Sequence, residues 1–391
     1  MTVSFAIGRM LRTTGRRPPG GGKGRRRPIV PPVTRLALMA SLTLLAAGGA
    51  AGAGADVLKP PAGGRIYHAA NAGFGGPEDR VTVRRIHHFE RAAAKRIAWA
   101  YFSDNWIGGI SFPIRQARAI RAAGRTPFIR MMPRSSFRAG GPDRRYAMQS
   151  IAAGRWDRPR PGSGGLIRWC RRAAALGDPL LVEFGTEVNG SWFPWNGRWN
   201  GGGRRDGYGD PASADGPERF RDAYRHIVDV CDSEGAENIT WFFHVDAAGA
   251  PGAAWNDIAA YYPGDAYVDW IGVSAYGSLR PDYGWRSFRR VYGRARAELR
   301  ALGGKPIAVL ETGVREDRGS PGRKARWTAR MLRDARRRFP EIAAISWWNE
   351  RYRDNGFAVD LRIDSSASAR RAYRRGVRGR AYATRARFAP G

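Results

Sequence analysis

Cysteine, histidine and lysine are scarce in this chain of 391 residues, and each scarcity excludes something. Two cysteines, Cys170 and Cys231, cannot build a disulfide framework or a cysteine-ligated zinc site. Both fall in helix-like segments and read as two half-buried thiols rather than a bridge. An exported chain could oxidise them if their Cα atoms came within reach. The five histidines, His68, His87, His88, His226 and His244, show no metal-ligand spacing, so neither a metal nor a cofactor is expected. No Gly-rich phosphate loop follows the first strand candidate, and no Ser-His-Asp order or Walker loop rises above chance. The longest apolar run, Leu36 to Ala47, is about 12 residues, short of the roughly 20 that a spanning helix needs.

Acidic residues are also few, 34 against 67 basic ones, for a formal charge of +33. Of the 67, only five are lysine, so arginine carries the excess across the whole chain. A nucleic-acid binder is the blunt reading of such a charge. Its distribution argues otherwise. Residues 1–55 hold nine basic residues and no acid, and residues 362–391 hold nine arginines and one aspartate. About half of the excess therefore sits at the two ends. The expected partners of these ends are anionic matrix or membrane surfaces, with binding weakened by salt, and no specific nucleic acid.

Residues 1–55 combine a basic Gly/Pro-rich leader with the apolar run and with Ala-x-Ala sites ending at Ala53 or Ala55. They read as an export signal or an N-terminal anchor, which places the protein outside the cytoplasm, secreted or periplasmic. Arg16-Arg17 and Arg25-Arg26-Arg27 admit a twin-arginine route. Residues 56–64 read as a linker. From 65 to 362 short apolar runs alternate with amphipathic Arg/Ala-rich stretches. The strand candidates are 65–71, 96–102, 126–132, 180–186, 239–245, 268–276, 306–311 and 342–348. Helices are expected at 113–123, 164–176, 217–234, 287–302 and 321–338. Eight strands alternating with helices over this length predict a single α/β domain, a (β/α)8 TIM barrel. Residues 363–391 read as a flexible basic tail or a solvated helix.

In such a barrel the loops that follow strands build the site. Glu187 follows the fourth strand candidate and Glu311 ends the seventh, so both carboxyls come to the mouth from opposite sides. One protonated and one ionised carboxyl is the requirement of glycoside hydrolysis. Tryptophan, unusually frequent at 14 residues, clusters at Trp192, Trp195 and Trp199, and again at Trp327, Trp347 and Trp348. Indole faces are platforms for the apolar faces of sugars. An ion pair with arginine is the plain reading of one strand-end glutamate; two at these strand ends, beside Trp-rich loops, favour chemistry.

The stretch Glu187-Val188-Asn189-Gly190-Ser191-Trp192-Phe193-Pro194-Trp195 resembles the acid/base motif of family 26 glycoside hydrolases, the β-mannanase family of retaining barrels. The resemblance implies acid/base for Glu187 and nucleophile for Glu311. It implies a sugar platform for Trp192, a hydrogen bond from Tyr276 to the nucleophile, and an aromatic subsite floor at Trp347 or Trp348. Asn189 and Trp195 join as substrate-binding candidates. Two positions depart from the family pattern. Thr186 stands where histidine is usual, and Glu183 where arginine is usual. Arg130 on the third strand is a partner for Glu183, which would make the pair a charge swap. His68 and His244 could line the pocket from strands 1 and 5, and Asp104, Asn105 and Trp106 follow strand 2.

These readings lead to a secreted, monomeric, retaining endo-β-glycosidase acting on a β-linked polysaccharide or oligosaccharide, mannan or β-glucan. The alternatives are a catalytically inactive carbohydrate-binding barrel and, third, a basic surface- or nucleic-acid-binding protein.

Overall fold

The computed structural model describes residues 56–75 and 78–390. Eight parallel strands close into a barrel: β1 (Ile66–Asn71), β2 (Trp99–Asn105), β3 (Thr126–Met132), β4 (Leu180–Phe184), β5 (Ile239–Asp246), β6 (Trp270–Ser274), β7 (Ile307–Thr312) and β8 (Ile342–Trp348). Each pairs with the next, and β1 pairs with β8 to close the ring, Tyr67 opposite Ala344 through Asn71 opposite Trp348. The strands are apolar runs without polar alternation because both faces are covered, by helices outside and by packed side chains within. The outer ring is α1 (Val83–Ala93), α2 (Ile114–Ala122), α3 (Gly165–Ala174), α4 (Asp215–Ser233), α5 (Phe288–Ala301), α6 (Arg323–Arg337) and α7 (Ala367–Val377). Between β5 and β6 two short 3-10 turns replace a helix.

The helices bury one stripe each. In α6, Trp327, Thr328, Met331, Leu332 and Ala335 face inward at three- and four-residue spacing while the arginines between them face water. Two cores result. One lies between strands and helices. The other fills the barrel with Tyr67, Trp99, Phe128, Leu181, Phe242 and Trp270.

Two expectations are corrected. The basic segment after residue 362 is packed, not flexible. Ala369, Ala372, Tyr373 and Val377 give α7 a buried stripe under its arginines. Beyond it, Tyr382 and Ala383 add to β1, and Phe388–Pro390 pairs antiparallel with Asp56–Leu58. The stretch 56–64 is thus no free linker at its start: the Leu58 amide donates to Thr240 and its carbonyl accepts from the Trp270 indole. Counting arginines missed the apolar spacing between them. Lys324, buried in α6, donates to the carbonyls of Asp360 and Arg362 and pins the start of this segment. The leader assigned to 1–55 lies outside the described residues.

The second correction concerns the cysteines. Cys170 on α3 and Cys231 on α4 are fully buried and bonded as a disulfide across 61 residues. Closing a loop of that length removes unfolded-state entropy worth about 4 kcal/mol. Among the described residues no helix is long and apolar enough to cross a membrane.

Candidate active site

The polar mouth is built two residues above the apolar filling of the barrel, on the same faces of the same strands. Arg130 of β3 is its hub, with a side chain 2% exposed. Its guanidinium reaches Glu78 at 3.0 Å, Glu183 of β4 at 3.3 Å and Glu311 of β7 at 2.9 Å. The Arg130–Glu183 pairing expected from the sequence is present, but the cation is shared among three carboxylates. Burial opposes charge on Arg130, and those carboxylates together hold its pKa above the ordinary arginine value.

Glu311 receives Arg130 on Oε1 and the Tyr276 hydroxyl on Oε2 at 2.7 Å; the Tyr101 hydroxyl approaches Oε1 at 3.4 Å. These are donors suited to an ionised carboxylate. Burial and the charges of Glu311 and Glu187 push the Tyr276 phenol well up, so it remains a donor. Glu311 turns toward the mouth because the pairing of β7 with β8 slips between Val309 and Thr312. Such irregularities re-aim side chains. Leu310 meanwhile fills the barrel against Gly272, where a Cβ would lie 2.3 Å from Leu310 Cδ1.

Glu187 lies beyond the end of β4, on a turn that strand alternation does not describe. Gly185 there has φ +66°, and a Cβ would meet Phe220 at 2.7 Å. Glu187 itself sits in the left-handed region at φ 49°, unusual for a non-glycine residue and found most often at functional sites. The residue is 4% exposed, and its carboxyl accepts the Trp192 indole N–H at 2.7 Å. Burial raises its pKa well above the usual carboxylate range, the charges of Glu311 and Asp246 add to this, and hydrogen bonds from Ser274 and Trp192 offset only part. The two carboxyls thus differ in kind: one favours keeping a proton, the other is held by a cation and a phenol.

The departures from the family pattern form one connected group. His244 of β5 binds Glu183 Oε2 and Thr186 Oγ1 through Nδ1, both at 2.8 Å, and Ser274 Oγ through Nε2 at 3.0 Å. Burial would raise the Glu183 pKa, but His244, Arg130 and the Tyr101 hydroxyl at 2.6 Å bring it below the ordinary value.

Trp192, Tyr276 and Trp348 gather round the carboxyls, the Trp348 ring 4.8 Å from the Arg130 guanidinium. Other candidates lie elsewhere. Trp347, its neighbour on β8, points outward to Tyr373 and Trp327 and donates to the Leu361 carbonyl. Trp195 is buried, stacked on Phe193 and bonded to the Thr186 carbonyl. Trp106 is buried against Tyr146 and Phe184. His68 packs outward between Phe89 and Tyr373, its ring nitrogens on the Arg96 carbonyl and the Tyr373 hydroxyl; burial lowers its pKa to about 4. Asn189 ties its amide to both main-chain groups of Asp246, which makes it a positioning residue for the turn. Asp104 accepts the Trp169 indole, and burial raises its pKa to about 7.

Sequence reasoning missed Glu78, Tyr101 and Tyr352. Glu78 is buried on a loop after β1, bonded to Ser103 and Arg130, with its pKa raised by burial to about 7; no spacing marks it. Tyr352 lies on the hairpin of Arg351–Asp354 and Phe357–Asp360, within the fields of both Glu311 and Glu187. The Asn355-Gly356 turn signals that hairpin. Among the described residues no cluster of His, Cys, Asp and Glu could hold a metal ion.

The closed parallel barrel brings an unequal carboxyl pair together beyond the ends of β4 and β7, the kind of pair that glycoside hydrolysis requires. Comparison with known proteins shows what the chain is similar to. Residues 168–301 match the pattern of glycosyl hydrolase family 26. Over 215 residues the chain is 31% identical to Endoglucanase H of Acetivibrio thermocellus, covering 54% of this chain but 21% of that much longer protein. Among solved structures, a family 26 β-mannanase from Bacteroides ovatus superposes with a TM-score of 0.52 at 15% identity, over 82% of this chain and 90% of that one. The catalytic domain of the family 26 endo-β-1,4-mannanase of Bacillus sp. JAMB-750 gives 0.52 at 16%, over 82% and 87%. These likenesses establish the barrel.

Proposed function

We propose that this chain is a secreted, monomeric retaining endo-β-glycosidase that cleaves a β-linked polysaccharide by double displacement. The observation that carries the reading is the inequality of the two carboxyls. Burial beside a second negative charge keeps a proton on Glu187, while Arg130 and Tyr276 hold Glu311. Glu311 attacks the anomeric carbon as the bond to the leaving oxygen breaks, and Glu187 gives that oxygen its proton. The sugar is then an ester of Glu311. Glu187, now ionised, takes a proton from water; the resulting hydroxyl displaces Glu311 and releases the sugar with its original anomeric configuration. Trp192 and Trp348 supply flat apolar faces for sugars on either side. The buried disulfide suits an oxidising compartment, in keeping with an export signal or anchor in residues 1–55.

Glu311→Ala tests the reading. Turnover should fall on the order of a thousandfold or more. Azide should restore part of it, giving a glycosyl azide of inverted configuration. Unimpaired hydrolysis by that variant would overturn the assignment.

A further inference from the structure

Beyond the strand ends of β1 and β8, on the face of the barrel that carries Glu187 and Glu311, lies a cleft of about 510 Å³. Its walls come from residues 72–75 after β1, from α1, from residues 349–351 after β8, and from Arg362 and Asp364 ahead of α7. Five arginines line it, Arg84, Arg85, Arg91, Arg351 and Arg362, against two carboxylates. Both carboxylates are engaged. Glu350 accepts the Gly75 amide at 2.9 Å, and Asp364 lies 3.7 Å from His88. Arg85 donates to the Gly73 carbonyl and Arg362 pairs with Asp360. Arg84, Arg91 and Arg351 are exposed and have no ion pair or hydrogen bond from their side chains among the described residues. Arg84 and Arg85 also occupy the first turn of α1, which holds no acidic residue. Cations there oppose the helix dipole, so the sequence places positive charge where it costs helix stability.

The cleft adjoins the catalytic mouth. Asn349 and Glu350 in its wall directly follow Trp348, whose ring packs on the Arg130 that holds Glu311. A glycan with its cleaved sugar over Trp348 can extend its next sugars into the cleft. Planar guanidinium groups match carboxylates in shape and charge, and an anion among them relieves their mutual repulsion. We propose that this cleft binds a carboxylate carried by the glycan, so that the substrate is an acidic β-linked polysaccharide of the uronic acid type. This deepens the hydrolase reading and rests on it.

The test compares binding of soluble β-1,4-glucomannan and of its carboxymethylated derivative to the full chain, with hydrolysis followed separately by reducing ends. Three guanidinium contacts at exposed-pair strength correspond to roughly tenfold tighter binding of the carboxymethylated polymer. Added salt should erode that preference. The variant R84A/R91A/R351A should lose it. R289A/R300A/R337A, which removes three exposed arginines from α5 and α6 and so matches the change in net charge, should keep it. Should the first triple variant fold poorly, Arg351→Glu alone should lower the preference. Equal affinity for the two polymers, weak binding of both included, overturns the proposal, as does equal loss in the control triple. Hydrolysis of both polymers without a binding preference sinks the cleft and spares the hydrolase. A cleft-dependent preference without hydrolysis supports the cleft and sinks the hydrolase.

Discussion

The lower and upper halves of the barrel interior are built from the same strands, yet one is a hydrocarbon stack and the other a charge network. Trp99 gives way to Tyr101 and Ser103 along β2, Phe128 to Arg130 along β3, Leu181 to Glu183 along β4, and Phe242 to His244 along β5. Two residues along a strand is about 7 Å, so stability and chemistry are separated by one inward-facing step. In the lower half Phe128 packs on Phe242 with ring centroids 4.7 Å apart, and Phe242 stacks on Trp270 at 5.6 Å. In the upper half Arg130, Glu183, His244 and Glu311 are polar and joined in one network. The lower half needs only volume. The upper half needs every partner present, because a buried charge without one is costly.

Three substitutions sharpen that contrast. Arg130→Leu should have the largest effect and strike both properties. It strands Glu78, Glu183 and Glu311, costing about 3–5 kcal/mol in urea unfolding, with turnover lost as Glu311 loses its cation. Trp270→Ala should cost a similar or slightly smaller amount, about 3–5 kcal/mol, through a cavity. The pH profile of the molecules that still fold should not move, because the titratable ring beside it, Tyr67, is pushed by burial above the ordinary tyrosine value. A shifted profile would show that the halves are not independent.

Glu187→Gln should have the smallest effect on stability and the opposite sign. A carboxyl whose folded pKa is raised holds its proton in the native state after the unfolded chain has released it. Its presence therefore makes stability fall as pH rises from the unfolded value, about 4.3, through the raised folded value. Glutamine removes that fall, so the variant should be more stable than the parent at neutral pH. Turnover of substrates with poor leaving groups should drop about 10²–10⁴-fold, and the alkaline limb of the pH profile should vanish. Equal stability of the two proteins across pH 4–8 would contradict the raised pKa.

Much of this was legible in order along the chain. The apolar runs at 126–132 and 342–348 coincide with β3 and β8, and the helix expected at 321–338 is α6 within two residues at its start and one at its end. Glu183 and Arg130 could be paired from facing positions on adjacent strands. The tryptophans could not be sorted. Trp347 and Trp348 are neighbours, and alternation says only that they face opposite ways; the register with β1 and β7 decides which one enters the barrel. Trp192 and Trp195 sit in one turn-rich loop, and only the packing of Phe193 and Phe220 around it buries the second. The disulfide was missed because two cysteines 61 residues apart carry no sign of the distance between α3 and α4.

The sequence by itself determined the eightfold alternation, the two acidic strand ends and the excess of arginine. These are local patterns, fixed by the spacing of apolar residues and by side-chain chemistry. Tertiary structure decided which carboxyl keeps its proton, through burial on a left-handed turn for Glu187 and a slipped register beside Arg130 for Glu311. It also decided that the C-terminal arginines clothe a packed helix. Burial and field are sums over neighbours far apart in the chain, and no single stretch of sequence contains them.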